Sequence, residues 1–432
     1  MNNYKQLKAK IDKKRAKICI IGLGYVGLPL VVNFAKKNFF VYGYDTNSKR
    51  IKRLEKGKKY IADIESNQPL KLIKKNKFMP IKDERCIGKA DIIIICVPTP
   101  LRKVKTPDIS FVKKASKTIK KYIKKGQLII LESTSYPTTT REVVLPELKK
   151  SGLVEEKDFF LCFSPERVSP GDKKHPVTKI PKLVGGLSSR STKLAKSLYS
   201  KIIKEVHSVS SPEVAETSKL LENTYRLVNI ALILEFTIVA EKLGISIWEV
   251  IEAAKTKPFG FMPFYPGPGI GGHCIPTDPK FLSWKSKKMG FKTKMIDLAS
   301  YIDHFMPDYV IKRVDKALGK KKINNSKILI LGVTYKKDVK DLRESPALDI
   351  IEKLQKRKIK VDYYDPLVPY LKVSSINLKR ASISIKNLKK YDCVVVVTGH
   401  KGVDYQRIRK NAKLIFDTRN VYKKDYKNVK RL

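Results

Sequence analysis

The segment with the clearest chemical character is Pro266-Gly267-Pro268-Gly269-Ile270-Gly271-Gly272-His273-Cys274-Ile275-Pro276-Thr277-Asp278. Four glycines in six positions fit neither a helix nor an ordinary strand, so they predict a loop whose backbone comes close to something. A cysteine at the end of that loop, ahead of a helix predicted to start at Asp278, is placed to be a low-pKa thiolate. The acid four residues on favours a nucleophile. A structural turn with a bystander cysteine is the blander reading. A His273/Cys274 zinc site is a third, and it lacks a second ligand pair at metal spacing.

A second constellation, Gly22-Leu23-Gly24-Tyr25-Val26-Gly27, follows an apolar run and opens an amphipathic one. The first glycine allows a tight turn, the second lets a pyrophosphate approach the backbone, and the third permits close helix–strand packing. The helix N-terminus then offers N–H groups and partial positive charge to phosphates. Asp45 ends the next apolar run, where an acid accepts hydrogen bonds from an adenosine ribose. Its charge repels a 2′-phosphate, so NAD is expected rather than NADP. Arg50 is placed to serve the adenosine side. In a third group, Glu216, Lys219, Asn223 and Arg226 recur at three- and four-residue steps and share one helix face. Spacing alone leaves open whether that face is a solvated stripe or lines a cleft.

The elements that must position these groups follow from periodicity. Apolar runs at 17–21, 40–44, 91–97, 127–132 and 158–163 read as buried strands, separated by helical patterns such as 109–125. Such alternation implies a parallel sheet with helices on both faces. A strand–helix–strand set near 182–184, 188–203 and 205–209 closes this part. Pro212 to Leu243 is one long helical pattern, capped by Ser211 and ended by Gly244, with two or three more helices to about Ala317. Strand signals return at 327–331, 361–364, 392–397 and 414–417. The expected fold is α/β: a doubly wound sheet of the Rossmann type, a central all-helical section with a long helix, and a second α/β domain. The expected domains are 1–210 for NAD, 211–318 helical, and 319–432 α/β, with the polar stretch 319–326 as a flexible boundary.

The chain has 432 residues, too many for one core. Its formal charge of +50 invites a nucleic-acid or membrane reading. The lysines are spread along the chain, however, and runs such as Lys113-Lys114 and Lys320-Lys321-Lys322 look like solvated faces. No specific nucleic-acid partner is expected. Six scattered cysteines without a CxxC pair point to a reducing compartment, the cytoplasm. Four of them, Cys19, Cys96, Cys162 and Cys393, read as core thiols. The stretch 1–17 is polar and lysine-rich, and the apolar stretch 18–32 is broken by Gly22, Gly24, Gly27 and Pro29, so membrane insertion is not expected.

Taken together these segments resemble the UDP-glucose/GDP-mannose dehydrogenase family over nearly the whole chain. Further matching stretches are Val97-Pro98-Thr99-Pro100 with Pro107-Asp108, Glu132-Ser133-Thr134, and Ser164-Pro165-Glu166-Arg167-Val168. Another is Tyr335-Lys336-Lys337-Asp338 leading to Asp341-Leu342-Arg343-Glu344-Ser345-Pro346. The resemblance implies NAD-dependent four-electron oxidation of the C6 alcohol of a UDP-sugar through a Cys274 thioester. It gives Lys219, Asp278 and Asn223 the oxyanion and water-orienting roles and Glu166 a part in thioester chemistry. It places Thr99 and Thr134, with Gly22, Gly24, Tyr25, Val26, Gly27, Asp45 and Arg50, at the NAD site. It sets Glu166, Arg167, Lys219, Asn223, Arg226, Gly271, Lys336 and Arg343 around the UDP-sugar. The runs 223–232 and 258–269 look like the N-acetylhexosamine branch that feeds surface-polysaccharide synthesis, with UDP-N-acetylglucosamine first. UDP-N-acetylmannosamine, UDP-N-acetylgalactosamine and UDP-glucose are the alternatives. Glucose-type members carry a second glutamate where this chain has Pro170, and Thr138 stands where relatives of the branch often have glycine. A homodimer built on the helical section is also implied.

Rival classes are a two-electron dehydrogenase of the 6-phosphogluconate or hydroxyacyl type, a non-catalytic nucleotide-binding protein and a polyanion binder. The first needs neither a glycine-embedded cysteine nor a second α/β domain. The second would tolerate loss of Cys274 or Lys219. The third would show salt-resistant binding.

Overall fold

The computed structural model describes residues 3–61, 64–65, 67–102, 106–168 and 176–432. It forms two compact units, Met1–Glu222 with Lys280–Phe291, and Asn223–Pro279 with Lys292–Leu432.

The first unit is built on eight strands, β1 (Lys17–Ile21), β2 (Phe40–Tyr44), β3 (Phe78–Ile81), β4 (Ile92–Ile95), β5 (Gln127–Leu131), β6 (Phe159–Phe163), β7 (Lys182–Gly186) and β8 (Val206–Ser208). Their order is β3-β2-β1-β4-β5-β6-β7-β8. β1 to β6 pair in parallel, β7 runs antiparallel to β6, and β8 is parallel to β7. β1, β4, β5 and β6 are almost wholly apolar because both faces are covered. One face packs Ile18, Ile20, Ile92, Ile94, Leu128 and Ile130 under helices that include α1 (Asn3–Asp12), α2 (Gly27–Lys36) and α3 (Ser189–Tyr199). The other packs Cys19, Ile93, Ile95, Ile129 and Leu131. The switch in strand order between β1 and β4 opens a crevice at the carboxyl ends of the strands.

α1 corrects the reading of 1–17 as merely polar. Leu7 and Ile11, four residues apart, are both buried, so a two-residue stripe suffices to dock a lysine-rich helix.

Helix α4 (Pro212–Leu243) has the bounds expected. Helix α5 (Cys274–Lys288) begins four residues earlier than expected, so Cys274 is its first residue. Pro276 explains the difference: proline is tolerated in a first turn, where N–H groups have no helical partner. Helix α6 (Lys294–Leu318) follows. The 319–326 stretch, expected to be flexible, holds two 3₁₀ turns, Gly319–Lys321 and Ile323–Asn325.

The second unit carries a five-stranded all-parallel sheet from β9 (Lys327–Leu331), β10 (Lys360–Tyr364), β13 (Cys393–Val396), β14 (Ile415–Asp417) and β15 (Val429–Arg431), in the order β10-β9-β13-β14-β15. A separate antiparallel hairpin, β11 (Tyr370–Val373) and β12 (Ile376–Lys379), was not expected. Among the described residues no helix is long and apolar enough to cross a membrane.

Candidate functional site

In the first unit the candidate residues follow the carboxyl ends of successive strands. Gly22–Gly27 follows β1, Asp45 follows β2, Thr99 comes after β4, Thr134 after β5 and Glu166 after β6. Each glycine of the loop answers a different need. Gly22 has φ +95°, and a Cβ there would lie 2.5 Å from the Cys96 carbonyl oxygen. A Cβ on Gly27 would lie 1.9 Å from the Gly22 carbonyl oxygen. A Cβ on Gly24 would meet nothing within 4 Å. The fold thus requires glycine at positions 22 and 27 and leaves open space at Gly24, which suits the close approach of a pyrophosphate.

Asp45 is buried. Its carboxylate accepts from the Leu23 N–H (2.8 Å), the Asn47 N–H (2.8 Å) and the Arg50 guanidinium (2.6 Å). A carboxylate has about four acceptor positions, which leaves one for a ribose hydroxyl. Arg50 therefore braces the acid. Tyr25 is exposed, Val26 and Thr134 are half-buried and Thr99 is buried. These residues fit a dinucleotide. Gly24→Ala is expected to leave the melting temperature within about 2 °C of the parent and to weaken NAD binding at least about tenfold. Thermal melts and titration calorimetry check both.

Further along the same edge, Lys219 Nζ lies 3.9 Å from Glu166 Oε2. Burial pushes the Glu166 carboxyl up; Lys219, the Val168 N–H and Lys182 oppose that, and Glu132 reinforces it. Arg167 is held by Glu222 (2.6 Å) and donates to the Pro181 carbonyl (2.7 Å). The segment with Pro170 lies outside the described residues.

The shared helix face is not a solvated stripe. Glu216, Lys219 and Asn223 are 1%, 5% and 5% exposed, whereas Arg226 is exposed and departs from them. Glu216 accepts from the Thr138 N–H (2.6 Å), the Thr140 N–H (2.9 Å) and the Thr140 hydroxyl (2.7 Å). This holds Thr138 at φ +79°, a left-handed backbone state that favours glycine. Burial nevertheless pushes the Glu216 carboxyl up to about 7. A folded-state value above the unfolded one means that this group's contribution to stability is full below about pH 4.5 and is lost as pH rises to 7, by up to roughly 3 kcal/mol. Glu216→Gln should flatten the decline between pH 5 and 8, measured as urea midpoints at each pH.

In the second unit the glycine loop packs on the segment after β9. A Cβ on Gly271 would lie 2.8 Å from both the Glu344 carbonyl oxygen and the Tyr335 Cβ, and one on Gly272 would lie 2.8 Å from the Tyr335 ring. The Gly272 N–H donates to the Arg343 carbonyl (3.0 Å). The close approach predicted for the loop is to this stretch. Cys274 is half-exposed, whereas the other five cysteines are buried. As the first residue of α5 it meets the positive end of the helix dipole, which favours thiolate. Arg343, paired with Asp341 at 2.6 Å, is held charged chiefly by that acid and to a lesser degree by Cys274, so cation and thiol are within electrostatic reach. His273 is lowered by burial and by Arg343. Asn223 Nδ2 donates to Asp278 Oδ2 at 2.6 Å, both side chains being buried. Lys336 is half-buried. No cluster of three metal-ligating residues occurs among the described residues.

Two residues at the first site were missed from the sequence. Glu132 and Lys182 form a buried ion pair of 2.5 Å, with Tyr199 donating to the same Glu132 oxygen at 2.6 Å. A lysine opening a strand reads as a solvated end. The only signal was that it precedes a run buried on both sides.

Comparison with known proteins gives three matches of the UDP-glucose/GDP-mannose dehydrogenase family: its NAD binding domain over residues 16–203, its central domain over 213–304 and its UDP binding domain over 329–424. A UDP-N-acetyl-D-glucosamine 6-dehydrogenase of Pseudomonas aeruginosa is 40% identical over 359 residues, 82% of this chain and 84% of that protein. A UDP-N-acetyl-D-mannosamine dehydrogenase of Methanocaldococcus jannaschii is 36% identical over 422 residues, 95% of this chain and 93% of the other. Among solved structures, a UDP-D-ManNAc dehydrogenase of Pyrococcus horikoshii superposes with a TM-score of 0.87 at 32% identity, covering 96% of this chain and 98% of that one.

Proposed function

The chain belongs to the UDP-glucose/GDP-mannose dehydrogenase family, and from that premise we propose that it oxidises the C6 alcohol of a UDP-N-acetylhexosamine, first UDP-N-acetylglucosamine, to the uronic acid. As a member it is an NAD-dependent oxidoreductase that acts on the CH–OH group of a UDP-sugar. The choice of N-acetylglucosamine leans on the relative named for that sugar at 40% identity. The relative named for the mannosamine epimer, at 36%, makes that sugar the second reading. A role in surface-polysaccharide synthesis follows from the same choice.

The observation that carries the mechanism is the half-exposed Cys274 at a helix N-terminus with Arg343 in electrostatic reach. When bound at the Gly22–Gly27 loop, NAD would supply the hydride acceptor, a fresh molecule for each of the two oxidations. Cys274 thiolate adds to the C6 aldehyde, and the resulting thiohemiacetal is oxidised to a thioester. Water then cleaves the thioester to the uronate and returns the thiolate. Covalent capture keeps the aldehyde from leaving and splits one hard oxidation into two easier ones. The Lys219 ammonium stabilises the oxygen that becomes negative, where differential stabilisation raises the rate most. Asn223 and Asp278, bonded to each other, orient the attacking groups. Glu166 takes the proton of the hydrolytic water; burial raises its affinity for protons, the direction a general base needs. Arg167, Arg226, Gly271, Lys336 and Arg343 serve the UDP-sugar, and Thr99 and Thr134 the dinucleotide.

The domains are assigned as 1–210 for NAD, 211–318 for dimer formation and 319–432 for the UDP-sugar. Exposed apolar side chains on α4, including Leu232, Phe236 and Leu243, support a homodimer there.

The test is a panel of UDP-sugars with NAD. Uronate should form with two NADH per sugar, fastest with UDP-N-acetylglucosamine, and Asp45 should make NADP a poor substitute. One NADH per sugar would refute the thioester route.

A further inference from the structure

Building on the role given to Glu166, we propose that the buried pair Lys182–Glu132 is a positioning device for that carboxylate in thioester hydrolysis. The topology makes this possible. β7 runs antiparallel to β6, with Phe163 opposite Gly185, so its first residue, Lys182, returns to the edge at which Glu166 leaves β6. Lys182 Nζ donates to the Pro165 carbonyl at 2.9 Å, one residue before Glu166, and sits 2.5 Å from Glu132 Oε1. Glu132 is in turn held by the Tyr199 hydroxyl at 2.6 Å, and the Tyr199 ring lies 5.0 Å from the same ammonium. A lysine on the backbone next to Glu166, clamped from behind by an acid and an aromatic ring, fixes where the Glu166 side chain starts.

Stability does not account for the pair. Both side chains are buried, and the second Glu132 oxygen has no hydrogen-bond partner among the described residues. Taking two charges out of water costs several kcal/mol per ion, and an apolar pair of similar volume commonly does as well or better. Glu132, Glu166 and Lys182 also line one cavity of about 20 Å³ with Tyr25, Val26 and Arg167, room for about one water molecule. Among the described residues the charged and titratable groups facing Glu166 are Lys219 at 3.9 Å, then Lys182, Glu132 and, more weakly, Cys96, with Arg167 and Tyr25 lining the same cavity. Signs thus alternate along Glu132, Lys182, Glu166 and Lys219. Lys182 favours the ionised form of Glu166, and Glu132 opposes it by less.

The two partners therefore act on Glu166 in opposite senses, and two variants separate positioning from scaffolding. The double variant K182M/E132Q removes both charges together and leaves none unpaired. Its kcat for uronate should fall about 10- to 100-fold through misplacement of the base, with KM for NAD nearly unchanged. The acid limb of its kcat–pH profile should move to higher pH. E132Q alone keeps the cation and should move the limb to lower pH. Glu166→Gln in the parent background identifies the limb by erasing it. If Glu166→Gln keeps the limb, the general-base reading fails, whatever the pair does. If the parent makes no uronate, the proposed reaction fails. If Glu166→Gln erases the limb and both variants fold with the parent's profile and kcat, the pair is structural and this inference is overturned. Should the double variant not fold, E132Q decides alone: an unmoved limb overturns it.

Discussion

Replacing Cys274 by alanine is expected to abolish uronate formation, by on the order of 10⁴-fold or more, because a nucleophile removed from a covalent route leaves no slower version of the same step. NAD binding should stay within about twofold, since the groups assigned to the dinucleotide lie on the Gly22–Gly27 loop and at the ends of β2, β4 and β5. The environment of the sulfur supports the assignment. Burial pushes the Cys96, Cys162 and Cys393 thiols up, and a hydrogen bond with Cys86 together with burial pushes Cys19 up, so these four stay protonated. Cys274 alone among the six is not buried. Its sulfur lies at a helix N-terminus with Arg343 in electrostatic reach, both of which favour the thiolate. Mass spectrometry of the quenched enzyme should show a sugar adduct at residue 274 in the parent and none in the variant. Persistent uronate in Cys274→Ala would end the covalent mechanism.

Much of this architecture could be read from the chain before any coordinates. β1, β2, β9 and α4 have the expected bounds because each is an uninterrupted apolar or amphipathic run between clear breakers. β3 was missed because Pro80 interrupts a four-residue strand at the sheet's edge, where a missing N–H is tolerated. Charged groups were harder. Lys219 and Asn223 could be placed on one face, but whether it faced water depends on tertiary packing, which spacing does not encode. Lys182 and Glu132 meet only because β7 reverses direction.

A second signal went unread. Lys17-Ile18-Cys19-Ile20-Ile21-Gly22 recurs as Lys327-Ile328-Leu329-Ile330-Leu331-Gly332, each followed by a strand that ends in Tyr-Asp. The structure repeats the bonds as well. Gly22 N–H to Tyr44 and Leu23 N–H to Asp45 match Gly332 N–H to Tyr364 and Val333 N–H to Asp365, all at 2.8 Å. The second acid is not left for a ribose: buried His400 lies 3.0 Å from its Oδ2, and Thr334 stands where the first loop has Gly24. The same strand–turn–acid design therefore leaves an acceptor position open on Asp45 in one half and fills those of Asp365 in the other.

Lys219→Met is expected to lower kcat about 10²- to 10³-fold, the usual cost of losing one group that stabilises a developing oxyanion. KM for the sugar should change little, because the charge it stabilises is absent from the ground state. The geometry argues for this use. Lys219 is 5% exposed, and the one salt bridge described for it, to Glu166, spans 3.9 Å. That is a long contact for an ammonium deprived of water, whose desolvation costs several kcal/mol. A lysine whose task is to hold its neighbours in place is gripped more closely, as Lys182 is at 2.5 Å from Glu132. Lys219→Arg keeps the charge but spreads it over a planar fork and should recover only part of the loss. Lys219→Met removes the partner that most favours ionised Glu166, so the same variant should also shift the acid limb of the kcat–pH profile upward. A Lys219→Met enzyme with parental kcat, or one whose loss lies wholly in KM, would show that the ammonium binds substrate and does not act on the transition state.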